Sequence, residues 1–256
     1  KKDLYLITKK SKAKKLINEN KIKKEKVIEP NNLENFLNKI NSRKKFIIDD
    51  KTCSLFFENI LKKKFQIIKK QDPIYSLKAI KNKKEIQNMI DAHVLDGAAL
   101  TKFIYWMKKV NKERITEVKA QNKLETFRKL NSNYLYPSFK TIAGSGKNGA
   151  IVHHRATLKN NKVIDKPDIF LCDSGGQYKY GTTDVTRTIC FQKPSKIIKN
   201  VFTRVLKGHI AVVTSNLKKF YNGHLIDIRA RKFLKEINLD YAHGTGHGVG
   251  FYLNVH

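Results

Sequence analysis

The sequence predicts a mixed α/β fold in two parts, and three observations carry that reading. Over about the first seventy residues, short apolar runs alternate with helical patterns, as in layered folds with parallel strands. Near residue 75 the step Asp72-Pro73 breaks this alternation and opens the longest periodic segment in the sequence. From Ser138 onward the pattern turns to strands and glycine turns, which adds an α+β character.

Each element has a local reason. Leu4–Thr8, Phe46–Asp49 and Phe65–Ile68 are short apolar runs of strand length. Leu33–Ile40 and Ser54–Leu61 have the three- and four-residue spacing of amphipathic helices. Ile86, Met89, Ile90, His93, Val94, Gly97, Leu100, Ile104 and Met107 continue that spacing through one long helix. The boundary near residue 75 separates a first domain, 1–75, from a second, 76–256. Thr116 is an N-cap for a helix running to about Leu130. Phe139–Ala143 and Ala150–His154 flank the turn Gly144-Ser-Gly-Lys-Asn-Gly149 and predict a hairpin. Asp168–Asp173 and Thr182–Cys190 flank the turn 174–181 and predict another. Helices follow over Ser195–Ser215 and His224–Ile237, then the loop His243-Gly-Thr-Gly-His-Gly-Val-Gly250, and Leu253–His256 reads as a strand.

Composition narrows the function classes. The 256 residues carry 53 Lys+Arg against 22 Asp+Glu, a net charge of +31. Such a balance raises nucleic acid or an anionic surface as partners. Only eight of the basic residues are Arg, however, and the planar guanidinium is the preferred bidentate reader of phosphates and bases. The lysines are spread along the whole sequence among Asn and Ile, so a solvated surface is the better account and nucleic acid is disfavoured. No apolar run approaches the roughly 20 residues of a transmembrane helix, and no membrane partner is expected. Cys53, Cys172 and Cys190 are odd in number and lack C-x-x-C spacing, which fits a reducing cytoplasm.

Three motifs carry chemistry. Gly144-Ser-Gly-Lys-Asn-Gly149 matches G-x-G-x-x-G, but the β-branched Ile151-Val152 after it does not open the helix that dinucleotide binding needs, and Lys147-Asn148 fails the P-loop pattern. His243 and His247 are four apart without the glutamate of H-E-x-x-H, and alternate glycines rule out a helix there. Glycines at those positions are expected to let the backbone pack close to a site. Asp173 ends an apolar run, where a carboxylate needs a partner. Asp184 shares a strand face with Thr186 and Thr188. A hairpin bringing Asp173 and Asp184 together requires a cation or proton between them, or pairing with Arg187 or a turn amide. Taken with His247, the pattern favours metal.

The runs Asn148-Gly-Ala-Ile-Val-His153, Asp173-Ser-Gly, Gly181-Thr-Thr-Asp-Val-Thr-Arg-Thr188, His243–Gly250 and Leu253-Asn-Val-His256 closely resemble the Xaa-Pro aminopeptidases (aminopeptidase P), pita-bread metallopeptidases related to prolidase, methionine aminopeptidase and creatinase. Order and spacing hold from about residue 76 to the end, and residues 1–75 resemble the latter part of the creatinase-like domain that precedes the catalytic one. The resemblance implies two divalent ions, typically Mn²⁺, with Asp173 on one, Asp184 bridging both and His247 on the other. It implies that a bridging metal-bound water attacks the carbonyl of the first residue in an Xaa-Pro bond of a proline-containing peptide. It further implies that His153 and His243 contact substrate and stabilise the tetrahedral intermediate, and that His256 helps to place the proline side. The pattern usually has Tyr where this chain has His154.

The resemblance also places two glutamate ligands after the position of His256. The sequence is therefore read as an internal fragment with a truncated catalytic domain, supplying three of five metal ligands and expected to be inactive alone. Other readings of the same residues are a prolidase-type dipeptidase, metal-free creatinase-like hydrolysis, and a non-catalytic pita-bread module that grips peptide or RNA. A homodimer of the full-length protein is left open.

Overall fold

A computed structural model of the protein describes residues 3–109, 114–165, 167–252 and 255. The chain divides into two units, Lys1–Leu77 and Lys78–His256.

In the first unit, β1 (Leu6–Ile7), α1 (Lys10–Asn18) and β2 (Val27–Ile28) form one crossover with parallel strands. After α2 (Leu33–Asn38) comes a second crossover of β3 (Lys45–Ile48), α3 (Leu55–Lys62) and β4 (Gln66–Lys69), again parallel, with Phe46 opposite Ile67. Ser54 caps α3 by accepting from Phe57 N. Leu33, Leu37 and Phe65 are buried together and covered by Phe36, Ile40 and Phe46, so the apolar spacing read in the sequence is the core of this unit. Two elements were not anticipated. α1 buries only Ala13, leaving no apolar periodicity to detect, and β2 is two residues long. Pro73 occupies the first position of α4 (Pro73–Ala79), where its missing N–H costs no hydrogen bond.

The second unit is built on α5 (Lys83–Lys109) and α6 (Glu117–Lys129), packed on a sheet. Thr116 caps α6, its hydroxyl accepting from Lys119 N at 3.2 Å. The strands are β5 (Tyr134–Pro137), β6 (Ile142–Ser145), β7 (Ile169–Ser174), β8 (Gly176–Tyr178), β9 (Gly181–Thr182) and β10 (Val185–Cys190). β7 is central in the antiparallel order β10-β7-β6, and β5-β8-β9 form a second antiparallel sheet. Leu100, Phe103, Leu124, Ala143, Phe170 and Ile189 bring α5, α6 and the β6-β7-β10 sheet into one core. Burying a side chain such as Phe103, Leu124 or Phe170 contributes about 1.5–3 kcal/mol. α7 (Lys196–Val213) and α8 (Gly223–Lys235) complete the unit. They approach so closely that a Cβ on Gly208 would overlap Ala230 O.

Two expectations are corrected. The long helix is present, but Ile86, Ile90 and Val94 are exposed, and the buried face carries Ala92, Asp96, Ala99, Leu100, Phe103 and Met107. Its first half faces β9, where a Cβ on Gly181 would lie 2.8 Å from Ala92 Cβ, so small side chains are required there. The expected hairpin at 139–154 is also absent. β6 leads into a 3-10 turn, Gly146–Ala150, and residues 150–154 form no strand. Tertiary contacts override the β-branched propensity of Ile151-Val152. The turn folds back on itself, so that a Cβ on Gly144 would lie 2.7 Å from Gly149 N, and Gly146 has φ +55°. Both glycines thus answer to backbone geometry, not to a phosphate. The expected strand at Leu253–His256 lies mostly outside the described residues.

Candidate metal centre

The second expected hairpin forms, with one elaboration. β7 and β10 pair so that Asp173 is opposite Thr186, while the small β8-β9 hairpin occupies the connection. Thr186 Oγ1 donates to Asp173 Oδ1 at 2.7 Å, and Arg187 turns to the Thr186 carbonyl. Asp184, just before β10, is partly buried, and its Oδ2 lies 3.4 Å from His247 Nε2. Asp173, Asp184 and His247 all line one cavity of about 250 Å³, together with His153 and Arg155.

The chemistry of these donors fits a hard divalent cation. His247 Nδ1 lies 2.9 Å from the Gly248 carbonyl, an acceptor only, so Nδ1 is the donor there and Nε2 is the ring nitrogen turned to Asp184. A ring nitrogen and a carboxylate at such range share either a proton or a cation. Oxygen donors with one imidazole suit a hard divalent ion better than a thiolate-preferring one. Among the described residues, no three His, Cys, Asp or Glu side chains come together in a group that could hold a metal ion. Asp173 instead is held towards β10 by Thr186.

Cys172, beside Asp173 in sequence, takes no part. Its side chain points into the core, and burial pushes the thiol up to about 12. A thiolate nucleophile is thereby disfavoured.

The other expected residues divide. His153 reaches the cavity from a backbone with φ +59°, the left-handed region. His243 does not line it. Its ring stacks on Tyr241 at 4.7 Å, and it lines a neighbouring cavity of about 920 Å³ with His209, His224 and His247. Arg231 of α8 accounts for this placement. Its guanidinium donates to Asp227 and Asp240 and to the carbonyls of Tyr241 (2.6 Å) and His243 (2.7 Å). The Arg231 ion pair, and after it the Thr245 hydroxyl, lowers the Asp227 carboxyl below its ordinary range. The loop glycines do not serve as expected, because a Cβ on Gly244, Gly246 or Gly248 would meet nothing within 4 Å. His256 lies outside the described residues.

Behind the cavity is a buried polar frame that the sequence did not announce. Arg128 and Asp96, both fully buried, pair at 2.6 and 3.0 Å. Arg128 Nη2 also donates to Ser174 Oγ (3.0 Å), and Tyr178 Oη donates to Asp96 Oδ1 (2.8 Å). Burial, then the adjacent Asp96 charge, raises the Tyr178 phenol above its ordinary value. A Cβ on Gly175 would overlap Thr183 O and Ser138 Oγ, which explains the glycine of Asp173-Ser-Gly. In a second cluster, Lys162 Nζ and Ser145 Oγ donate to Asp168 Oδ2 (2.6 and 3.0 Å), and the Lys162 contact lowers the Asp168 carboxyl. Spacing alone does not pair Asp96 with Arg128 across thirty-two residues. The only available signal was a charged residue on the inward stripe of a helix.

Metallopeptidase family M24 matches residues 87–256. Similar curated proteins include a probable Xaa-Pro aminopeptidase P of Paracoccidioides brasiliensis (strain Pb03), 48% identical over 189 residues, which are 73% of this chain and 31% of that protein. A probable Xaa-Pro aminopeptidase P of Laccaria bicolor is 43% identical over 214 residues, 83% of this chain and 33% of that protein. Among solved structures, the X-prolyl aminopeptidase of Caenorhabditis elegans, described as a cytosolic enzyme with a di-nuclear active site, superposes with TM-score 0.81 at 30% identity, covering 96% of this chain and 41% of that one. The prolidase of Pyrococcus horikoshii OT3 superposes with TM-score 0.70 at 28% identity, covering 88% and 63%. The chain spans about a third of the length of the curated relatives it matches.

Proposed function

The chain belongs to metallopeptidase family M24, with the mixed helix and strand architecture of part of a pita-bread domain, and from that premise we propose that the whole protein is a metal-dependent aminopeptidase releasing the N-terminal residue from peptides with proline in second position. The observation that carries the proposal is the convergence of Asp173, Asp184, His247 and His153 on one small cavity, with Asp184 and His247 3.4 Å apart.

Asp173, Asp184 and His247 would hold the metal, and two glutamates beyond His256 would complete the set. When bound, a pair of divalent ions, Mn²⁺ in this reading, supplies an acidified water and a clamp for developing negative charge. The chain's own residues do the rest. Thr186 orients the Asp173 carboxylate, and the Gly248 carbonyl fixes the His247 tautomer so that Nε2 faces inward. His153, at the cavity wall, would donate to the scissile carbonyl oxygen as its charge grows. His243, held on the Arg231 side, would meet substrate entering from the larger cavity, and His256 would place the proline. The relative described as cytosolic and the three free thiols support a cytosolic setting.

The Pyrococcus horikoshii prolidase neighbour supports a second reading, a dipeptidase acting on Xaa-Pro. Rates of the full-length protein on Xaa-Pro dipeptides and on Xaa-Pro-Xaa peptides separate the two. Faster cleavage of the longer peptides is expected, and cleavage confined to dipeptides would overturn the first reading. With three of five ligands, residues 1–256 by themselves should bind Mn²⁺ weakly and turn over neither substrate.

A further inference from the structure

We propose that Glu117 is a positioning residue that aims His153 into the metal cavity, an inference that rests on the peptidase reading above. Glu117 opens α6 and is fully buried. A carboxylate so placed is costly unless donors surround it, and here they come from four residues. Oε1 accepts from Ser145 N (2.8 Å) and from Asn148 Nδ2 (2.9 Å). Oε2 accepts from Asn148 Nδ2 (3.1 Å), His154 Nε2 (3.2 Å) and Lys162 N (3.2 Å).

The arrangement of these donors along the chain is what matters. Ser145 and Asn148 precede His153, while His154 and Lys162 follow it. One carboxylate therefore fastens the loop on both sides of His153. The loop needs such a fastening, because no strand ladder runs through residues 151–155. His153 itself has φ +59°, a conformation that non-glycine residues keep only where their surroundings over-determine it. The nearest backbone bond, His154 N to Ile151 O at 3.1 Å, closes a turn and does not set the direction of the His153 side chain. With its neighbour His154 turned inward onto Glu117, His153 is left on the outer side of the turn, where it lines the cavity with Asp173, Asp184 and His247.

The test is a double-mutant cycle on the full-length, Mn²⁺-loaded protein, reading kcat/KM on an Xaa-Pro-Xaa peptide and Mn²⁺ affinity by titration. Glu117→Gln places an amide donor against donors of the loop and should lower kcat/KM by about tenfold or more. It should leave Mn²⁺ affinity within about twofold, since no expected metal ligand is touched. In a His153→Ala background the same substitution should cost less than about twofold. His154→Phe removes one donor without the buried charge change and serves if Glu117→Gln does not fold. Its smaller loss should likewise vanish when His153 is absent. A full loss persisting in the His153→Ala background, or a fall in Mn²⁺ affinity that accounts for the lost rate, would overturn the positioning role. A His153→Ala protein as active as the wild type would instead overturn the peptidase reading of the cavity.

Discussion

The two walls of the candidate metal cavity are built on opposite principles. On the hairpin wall, Asp173 and Asp184 are joined to packed backbone. Ser174 is tied to the buried Arg128–Asp96 pair, Gly175 leaves no room for a methyl group, and Thr186 holds Asp173. On the loop wall, His247 is exposed, three glycines face open space, and residues 240–245, which lead into it, are fastened chiefly through one guanidinium, Arg231. The first wall is set before any ligand arrives. The second can adjust to what it binds, because each bond that restrains it is made at or near the surface.

If that contrast is right, damage to the hairpin wall should appear as lost stability and damage to the loop wall as lost ligand affinity. The largest effect is expected from Arg128→Ala, which leaves Asp96 buried and uncompensated. A buried pair broken in this way costs about 3–5 kcal/mol, and thermal denaturation should show Tm lower by about 10 °C. An unchanged Tm would remove the buried frame from the account. Gly175→Ala comes next, with a Cβ overlapping Thr183 O. It should cost about 3 kcal/mol in a denaturant melt, and tolerance of the methyl would mean that the hairpin wall is not rigid.

Arg231→Ala should behave differently. Mn²⁺ affinity of the full-length protein should fall about tenfold while the denaturation midpoint stays close to wild type. A large loss of stability with intact affinity would reverse the contrast. The smallest effect is a matter of pH. Lys162, then the Ser145 hydroxyl, lowers the Asp168 carboxyl below its ordinary 3.8. The folded state therefore releases this proton more readily than the unfolded one. The stability it contributes is present above pH 3.8 and is lost as pH falls through the lower folded value. In Asp168→Asn the fall of Tm with acidification should flatten in that window, and an unchanged acid limb would show that the pair carries no linkage.

The same contrast explains what was legible in the sequence. That Asp173, Asp184 and His247 line one cavity was foreshadowed by strand alternation, a local signal, and the β7-β10 register places Asp173 opposite Thr186. His153 could be named from the resemblance but not its backbone, since the left-handed turn depends on Glu117, thirty-six positions earlier. The predicted hairpin at 139–154 failed for that reason. The strand propensity of Ile151-Val152 was read correctly and then overruled by a buried carboxylate gathering the loop's donors. Asp96 and Arg128 were missed because each looks solvated by itself, and only their pairing makes burial affordable. α1 was missed because a helix that buries one alanine leaves no apolar stripe.

The central claim is tested most directly by anomalous diffraction at the manganese edge from crystals of the full-length protein grown with Mn²⁺. The account predicts anomalous peaks in the cavity within about 2–2.5 Å of Asp173, Asp184 and His247 Nε2. Peaks elsewhere, or a cavity without one at saturating Mn²⁺, would contradict it.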